Sequence, residues 1–139
     1  MGGDGFALLD LAHDAAQPAV RAVALRALLR GRATWSVGYR RQWVDKSHDI
    51  FRLEPVLDSR DLTRPAPLLE LLDIGARDRS AIVRKIVADA IIEHRRDVPG
   101  LRPLIEKLAF DRNPGVRERI AYVIRADIEH DASLEIALE

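Results

Sequence analysis

A segment of this chain occurs twice, at an offset of 33 residues. The stretch from Asp78 to Ile91 returns as the stretch from Asp111 to Ile124, with the same order of acidic, basic and apolar residues. The matching pairs are Asp78 and Asp111, Arg79 and Arg112, Val83 and Val116, Arg84 and Arg117, Ala88 and Ala121, and Ile91 and Ile124. A repeat of this length is typical of arrays of helical hairpins, in which each hairpin covers the apolar face of its neighbour. The repeat therefore predicts a stacked helical fold.

A weaker copy opens the chain, where Pro18, Val20 and Arg21 precede an apolar stripe. Within each copy the apolar residues recur three and four positions apart, which is the spacing of one face of a helix. We expect an all-α fold, a right-handed α-solenoid (alpha-alpha superhelix) of helical hairpins, as a single domain over residues 1–139. The expected units are residues 6–30, a divergent unit at 31–63, residues 64–97 and 98–130, and the start of a further helix or a cap at 131–139.

Residues 31–63 interrupt the helical spacing. They hold both tryptophans of the chain. The Glu-Pro step at 54–55 argues against a long uninterrupted helix, because proline removes a backbone donor. We expect a degenerate helical unit here, with residues 45–57 as its second helix. On a helix, Trp35, Tyr39 and Trp43 would lie in one row, because they are spaced four residues apart.

The composition excludes several classes of protein. The chain has no cysteine, which excludes disulfide frameworks and thiolate metal sites. Its 22 basic and 22 acidic residues give a formal net charge of zero, so no overall charge attracts it to nucleic acid or to a membrane. No apolar run approaches the length of a bilayer span, and the first residues lack the pattern of a secretion signal. We expect a cytoplasmic protein that does not bind membranes.

The order Asp, turn, Pro, Val, Arg resembles the HEAT-repeat family, and in particular the short bacterial HEAT-like units first described in phycobilisome lyases. The resemblance is clearest in Asn-Pro-Gly-Val-Arg at 113–117 and in Pro-Ala-Val-Arg at 18–21, and it covers about two thirds of the chain. It implies that turn aspartates and the arginines that follow them form a ladder between the units. The ladder residues would be Asp14, Arg21, Asp78, Arg84, Asp111 and Arg117. Most members of the family are protein-binding scaffolds and a few are enzymes or DNA-repair glycosylases, so the fold alone leaves the function open.

No combination of residues makes a convincing catalytic or metal site. The Glu-His steps at 93–94 and 129–130 suggest a metal centre, but they lie 36 residues apart instead of 33 and so do not share a register. The Ser-His-Asp run at 47–49 has the residue types of a hydrolase triad, but adjacent side chains cannot relay a proton. We therefore expect no catalytic residue, no metal and no cofactor. A metal-dependent or lyase-type activity on this scaffold is the enzyme alternative.

Two surfaces are candidates for partner binding. The first is the segment 21–46, which has seven basic residues and one acidic residue. Aromatic and arginine side chains are common anchors of interfaces, and they also stack on bases. The anchors would be Trp35, Tyr39, Arg40, Arg41 and Trp43. The same aromatic residues could instead fill a gap in the core, with the arginines in solvent.

The second surface is the row of residues that the repeat places on the concave side of the array. It consists of Arg26, Lys85, Asp89, Ile92, Glu118, Tyr122 and Arg125. Its charges are mixed in sign and two members are apolar or aromatic, which favours a peptide or protein over a phosphate track.

These surfaces predict a non-catalytic protein–protein interaction scaffold, whose partner is a protein or peptide. The alternative is a nucleic-acid-binding protein that uses the segment 21–46, and the neutral charge disfavours it. Both ends of the array lack polar caps, because the first helix is apolar and the final segment carries an apolar stripe. We therefore expect self-association end to end, or origin from a longer repeat protein.

Overall fold

The computed structural model describes the backbone of residues 3–138 and the side chains of residues 5–128. Six helices and two strands follow one another in this part of the chain. They are α1 (Gly3–Asp14), α2 (Pro18–Arg30), β1 (Arg32–Asp45), β2 (Ile50–Asp61), α3 (Leu68–Ala76), α4 (Ala81–His94), α5 (Arg102–Ala109) and α6 (Pro114–Leu138). A short 3₁₀ turn, Lys46–His48, joins the two strands.

The helices form three hairpins, in which α1 packs on α2, α3 on α4, and α5 on α6. The second helix of each hairpin (α2, α4 and α6) belongs to one continuous layer, because α4 packs against both α2 and α6. The core lies within this array and is built from aliphatic side chains, in keeping with the low aromatic content of 5%. Its fully buried members are Leu25, Leu28, Leu71, Leu72, Val83, Val87, Ile91, Leu108, Val116, Ile120 and Val123.

Local sequence signals start the second helices. Pro18 occupies the first turn of α2, where its missing amide costs no hydrogen bond. The Ser80 hydroxyl accepts a hydrogen bond from the Ile82 amide at 3.3 Å and caps α4. The Asn113 side chain accepts from the Gly115 amide at 2.9 Å and caps α6 in the same way. The repeated turns thus fix where each stacked helix begins.

The prediction of an all-α solenoid is wrong, because residues 32–61 form an antiparallel β-hairpin between the first and second helical hairpins. Gly31 ends α2 in the left-handed conformation, with φ of 68°, and the chain then runs into β1. Aromatic and β-branched residues favour this extended backbone. Pro55 is tolerated within β2 because each strand of a two-stranded sheet is an edge strand, with one side free of partners. The chain is therefore a mixed α and β protein, and the degenerate helix expected at 45–57 does not exist.

The C-terminal end also differs from the prediction. Residues 131–139 were expected to begin a separate helix or cap, but α6 runs without a break from Pro114 to Leu138. The apolar stripe predicted at Leu134, Ile136 and Leu138 lies outside the described side chains. No helix in the described part of the chain combines the length and apolar character needed to cross a bilayer.

Candidate functional site

The β-hairpin, which we call the arm (residues 32–61), begins and ends at one point on the helical layer. The Leu62 amide donates to the Gly31 carbonyl at 2.9 Å, so the two ends of the arm are adjacent. The Arg64 side chain donates from Nε to the Leu28 carbonyl at 3.0 Å and from Nη2 to the Leu29 carbonyl at 2.8 Å. These bonds satisfy carbonyls at the C-terminal end of α2, where the helix itself offers no partner.

The arm leaves its side chains open to solvent along its whole length. Within residues 32–61, all of which the structure describes, no residue is buried. Twelve residues in β2 correspond to roughly 40 Å of extended chain. An isolated two-stranded hairpin is at best marginally stable in water. The arm is therefore an element that lacks the packing layer a sheet normally has.

The strand register divides the arm into two faces. Successive residues of a strand point to opposite sides of a sheet, and each residue of β2 pairs with one residue of β1 except at two bulges in β1. The bulges fall between Ser36 and Gly38 and between Trp43 and Asp45. They shift the alternation of β1, so the predicted single row of Trp35, Tyr39 and Trp43 does not form.

One side of the arm carries polar pairs near the helices, Arg32 with Asp61 and Thr34 with Ser59, and is largely apolar further out. This outer part, which we call the aromatic face, includes Tyr39, Arg41, Trp43, Phe51, Leu53 and Leu57. The rings of Trp43 and Phe51 meet edge to face, with 5.7 Å between their centroids. The guanidinium of Arg41 lies 4.6 Å from the centroid of the Phe51 ring, a cation–π contact. Tyr39 keeps 69% and Leu53 62% of their surface exposed. Such a patch amounts to on the order of 500 Å², near the upper end for a monomer.

The other side, the polar face, is held by charged and amide side chains. Arg40 lies 3.8 Å from the Glu54 carboxylate across the strands. Arg52 donates to the Gln42 amide oxygen at 3.2 Å and to Glu54 at 3.3 Å. Trp35 belongs to this face, because it pairs with Asp58. Arg40 and Trp35 are thus separated from Tyr39, Arg41 and Trp43, with which the sequence had grouped them.

The charge of the arm is nearly balanced. Residues 32–61 contain six basic and five acidic side chains, a formal net charge of +1. The basic segment 21–46 ends before most of these acids, which lie on β2. Cross-strand pairing then neutralises part of the basic charge, as in Arg32 and Asp61, 3.5 Å apart. The arm does not form the positive groove that tracks a phosphate backbone.

The tip of the arm brings three polar side chains together. The Asp45 carboxylate accepts from the Ser47 hydroxyl at 2.6 Å and lies 2.6 Å from Nδ1 of His48. These hydrogen bonds, from Ser47 first and His48 second, lower the pKa of Asp45. The Ser47 hydroxyl contacts the same Nδ1 atom, at 3.1 Å. A triad needs serine and carboxylate on opposite ring nitrogens, so the cluster caps the turn and has no relay geometry.

The predicted ladder residues meet between hairpins. Arg21 donates from Nε and Nη2 to the two carboxylate oxygens of Asp78, at 2.9 and 3.1 Å. Arg84 donates in the same fork to Asp111, at 2.8 and 3.2 Å. Each arginine thus pairs with the aspartate of the next hairpin along the array. The Nη1 atom of Arg84 also donates to the Asp78 carbonyl at 2.9 Å, which ties the arginine to its own turn.

Two of the six ladder candidates stand outside these pairs. Arg117 donates from Nη1 to the Asp111 carbonyl at 2.7 Å, and within residues 5–128 no carboxylate side chain pairs with it. Arg21 makes the corresponding bond to the Ala15 carbonyl, also at 2.7 Å. Ala15 therefore occupies the ladder position of the first hairpin, and Asp14 lies one residue earlier, as the last residue of α1.

The two paired aspartates are ionised inside the array. Burial raises the pKa of Asp78, but hydrogen bonds from Arg21 and from the Ser80 amide lower it by a larger amount, so the net shift is downward. The pKa of Asp111 is lowered by the same balance, with Arg84 and the Asn113 amide as donors. The pKa of Arg21 is raised, chiefly by its hydrogen bond with Asp78. Both bridges are thus charge-assisted.

The second predicted surface is divided between two hollows. Arg26 and Asp89 line a cavity of about 70 Å³ together with Glu93 and His94. A larger groove of about 660 Å³ is lined by Ile92, Glu118, Arg119, Tyr122 and Arg125. Lys85 instead packs beside Gly115. Arg119, which the sequence did not single out, joins the hollows through a 2.9 Å bond to Asp89.

The Glu-His step at 93–94 shows no ligand cluster around it. Nε2 of His94 lies 4.0 Å from the Glu93 carboxylate, and no group of three or more metal-ligating side chains occurs in the described part of the chain. The step at 129–130 lies outside the described side chains.

Sequence reasoning missed half of the aromatic face. Phe51, Leu53 and Leu57 alternate with Arg52 and Glu54, which is the period of a half-exposed strand. This signal was present in the sequence, but Pro55 and the alignment of the segment with a helical repeat obscured it.

Comparison of the chain with protein-family models, with characterised proteins and with solved structures finds no match. The resemblance to HEAT repeats therefore stays a prediction, and the function has to be argued from the surface of the molecule.

Proposed function

We propose that this chain is a non-catalytic protein-binding module and that the aromatic face of the arm is its docking surface. The observation that carries the proposal is the exposure of Tyr39, Trp43, Phe51, Leu53 and Leu57 together on one side of an element that has no packing layer. Exposed apolar patches of this size mark interaction sites on folded proteins. The helical array supplies a base that holds the arm.

The size of the face suits a modest interface. A patch on the order of 500 Å² on each partner buries about 1,000 Å² in total, near the lower limit for a specific complex. Tyrosine, tryptophan and arginine are the residues that most often dominate binding energy. Trp43 and Arg41 both contact the ring of Phe51, so the anchors of this face are already ordered against one another. Such preorganisation reduces the entropy lost on binding.

The charge of the face indicates the chemistry of the partner. Arg40 on the polar face pairs with Glu54, whereas no carboxylate within the described residues pairs with Arg41. A partner with an apolar surface and an acidic side chain opposite Arg41 would satisfy both features of the face. Packing two arms face to face would instead bring two such arginines into one interface without a counter-ion, which is unfavourable. The proposed occupant is therefore a different protein and not a second arm.

Nucleic acid is the alternative partner, because Tyr39, Trp43 and Arg41 share a face on which bases could stack. The balanced charge of the arm argues against it, since phosphate contacts provide most of the affinity for nucleic acid.

Photo-crosslinking in the native host tests the proposal. A photoreactive phenylalanine analogue is placed at Tyr39 on the aromatic face or, as a matched control, at Gln42 on the polar face. Both positions are exposed on β1 near the tip. We expect a discrete adduct from position 39 that protease removes and nuclease does not, and little or none from position 42.

Three results would count against the proposal. Adducts of equal yield at the two positions would show that the aromatic face is not selective. Adducts removed by nuclease alone would show that the partner at this face is nucleic acid. Absence of any adduct at position 39, with the protein expressed and folded, would leave the face without a partner.

A further inference from the structure

We infer that helix α6 carries a docking stripe for the first helical hairpin of a second copy of this chain. The inference is independent of the arm and begins with the three second helices, which carry matching stripes at positions i, i+4 and i+7. The stripes are Arg21, Leu25 and Leu28 on α2, Arg84, Ala88 and Ile91 on α4, and Arg117, Ala121 and Ile124 on α6. The internal repeat therefore allows each stripe to be compared with the other two.

The first two stripes are covered by the next hairpin, and the third is open. No residue of the α2 and α4 stripes keeps more than 6% of its surface exposed. On α6 the equivalent Arg117 and Ala121 are exposed, and Ile124 keeps 39%. The same residue pattern thus lies buried twice and uncovered once. The α6 stripe has the composition of a stacking surface, but no layer within residues 5–128 covers it.

The arginines of the three stripes differ in the same way as their exposure. Arg21 and Arg84 each hold the carboxylate of the following hairpin in a two-bonded fork. Arg117 makes the bond to its own turn carbonyl and has no such carboxylate within the described residues. An occupant that continues the array must therefore present an apolar helical surface to the stripe and a carboxylate within hydrogen-bond distance of Arg117.

The first hairpin of a second copy presents such a surface. Val20 and Val23 on α2 are 40% and 67% exposed, whereas Val83 and Ile86 at the equivalent positions of α4 are 1% and 8% exposed. An apolar groove of about 330 Å³ lies at this end of the array. Its lining residues are Leu8, Leu11, Ala19, Val20, Val23 and Ala24. The two open ends are thus complementary in the way that successive hairpins are within the chain.

Asp14 supplies the carboxylate. Its side chain is 78% exposed, and its contact within the chain is with His13, at 3.3 Å. It lies one residue before Ala15, whose carbonyl marks the ladder position. In the proposed assembly Asp14 of one copy faces Arg117 of the next, in place of the Asp78 and Asp111 carboxylates of the internal ladder. Such a contact uses two different surfaces, so it generates a ring or an open chain of copies.

Sedimentation velocity across micromolar to millimolar concentrations tests the inference. The wild-type mass is expected to rise with concentration beyond that of a dimer. Arg117→Ala should weaken self-association by about tenfold or more, the effect of losing one charge-assisted hydrogen-bonded pair. Ala15→Asp should strengthen it, because a carboxylate then occupies the position of Asp78 and Asp111. Arg102→Ala is the matched control. Its equivalent in the second hairpin is Leu69, which stays 36% exposed although the third hairpin packs on the second. Arg102 should therefore lie outside the contact between copies.

The variants are compared after circular dichroism has shown equal helix content. A wild-type protein that stays monomeric throughout would overturn the inference. Unchanged association in both Arg117→Ala and Ala15→Asp would do the same. Association lost on Leu53→Ser, and not on Arg117→Ala, would place the contact on the arm and also overturn it, whereas the proposed function of the arm is tested separately by crosslinking.

Discussion

The guanidinium of Arg84 holds the carboxylate of Asp111 through two hydrogen bonds, from Nε at 2.8 Å and from Nη2 at 3.2 Å. Both side chains are at least nine-tenths buried. Arg84→Ala would leave the Asp111 charge buried without its partner, so we expect a loss of roughly 3–5 kcal/mol in the free energy of unfolding. Asp111→Ala should have a comparable cost, and the double variant should cost less than the sum of the two.

Urea denaturation of the three variants measures this coupling. Arg117→Ala is the internal control, because Arg117 is exposed and shares only a main-chain carbonyl with the turn. It should cost about 1 kcal/mol or less. Additive costs for Arg84→Ala and Asp111→Ala would show that the bridge does not join the second and third hairpins.

Acid should destabilise the array through the same aspartates. The pKa values of Asp78 and Asp111 are lowered in the folded state, whereas the pKa of an unfolded aspartate is about 3.9. Below that pH the unfolded chain binds more protons than the folded one, so stability falls as pH falls. Their contribution is fully present above about pH 5 and is lost as the pH drops through the folded-state values.

The free energy of unfolding, measured by urea denaturation between neutral and acidic pH, checks this sign. Asp111→Asn should be less stable at neutral pH and should show a shallower decline with acid than the wild type. A variant whose stability falls as steeply as that of the wild type would contradict the assignment of the acid effect to this bridge.

The arm should be removable. Because the Leu62 amide bonds to the Gly31 carbonyl, a short glycine–serine linker can replace residues 32–61 without moving the helices. The thermal midpoint should change by about 4 °C or less, since the arm contributes no buried residue. Arg64→Ala is the comparison, because it removes two bonds to the end of α2. Loss of helical dichroism in the linker variant would show that the arm is part of the folding unit.

Nucleic acid should bind weakly if at all. With a net charge of +1 on the arm, we expect dissociation constants of about 10⁻⁵ M or weaker for single- and double-stranded oligonucleotides near physiological salt. Fluorescence anisotropy measures this directly. Sub-micromolar binding that Arg40→Ala/Arg41→Ala removes would favour the nucleic-acid alternative over a protein partner.

The helical part of the fold could be predicted from sequence because burial imposes the same pattern on each stacked hairpin. Val83 and Val116, for example, recur at the repeat offset of 33 residues and are both fully buried. The direction of the ladder could not be predicted in the same way. A pairing within one turn and a pairing with the next hairpin require the same residue types, and only the stacking geometry joins Arg84 to Asp111. The one-residue offset of Asp14 from Ala15 is likewise visible only from the carbonyl that Arg21 contacts.

The arm was missed for a physical reason. The β-bulges at Val37 and Val44 break the alternation of β1, and a spacing of four residues between aromatic side chains fits a helix face as well as a strand. The partners of Tyr39 and Trp43 on β2 could not be assigned without the register. The strand pairing decides which side chains share a face. The sequence could therefore predict the segment that holds the candidate site, but not which residues of that segment form it.

Acrylamide quenching of tryptophan fluorescence tests the docking surface most directly. The two tryptophans of the chain lie on opposite faces of the arm and have nearly equal exposure, 44% for Trp35 and 42% for Trp43. Trp35→Phe and Trp43→Phe each leave one reporter, and the two should be quenched alike in the free protein. In complex with the partner captured at Tyr39, Trp43 should be protected several-fold while Trp35 stays accessible. Equal protection of both tryptophans, or protection of Trp35 alone, would contradict the assignment of the aromatic face as the docking surface.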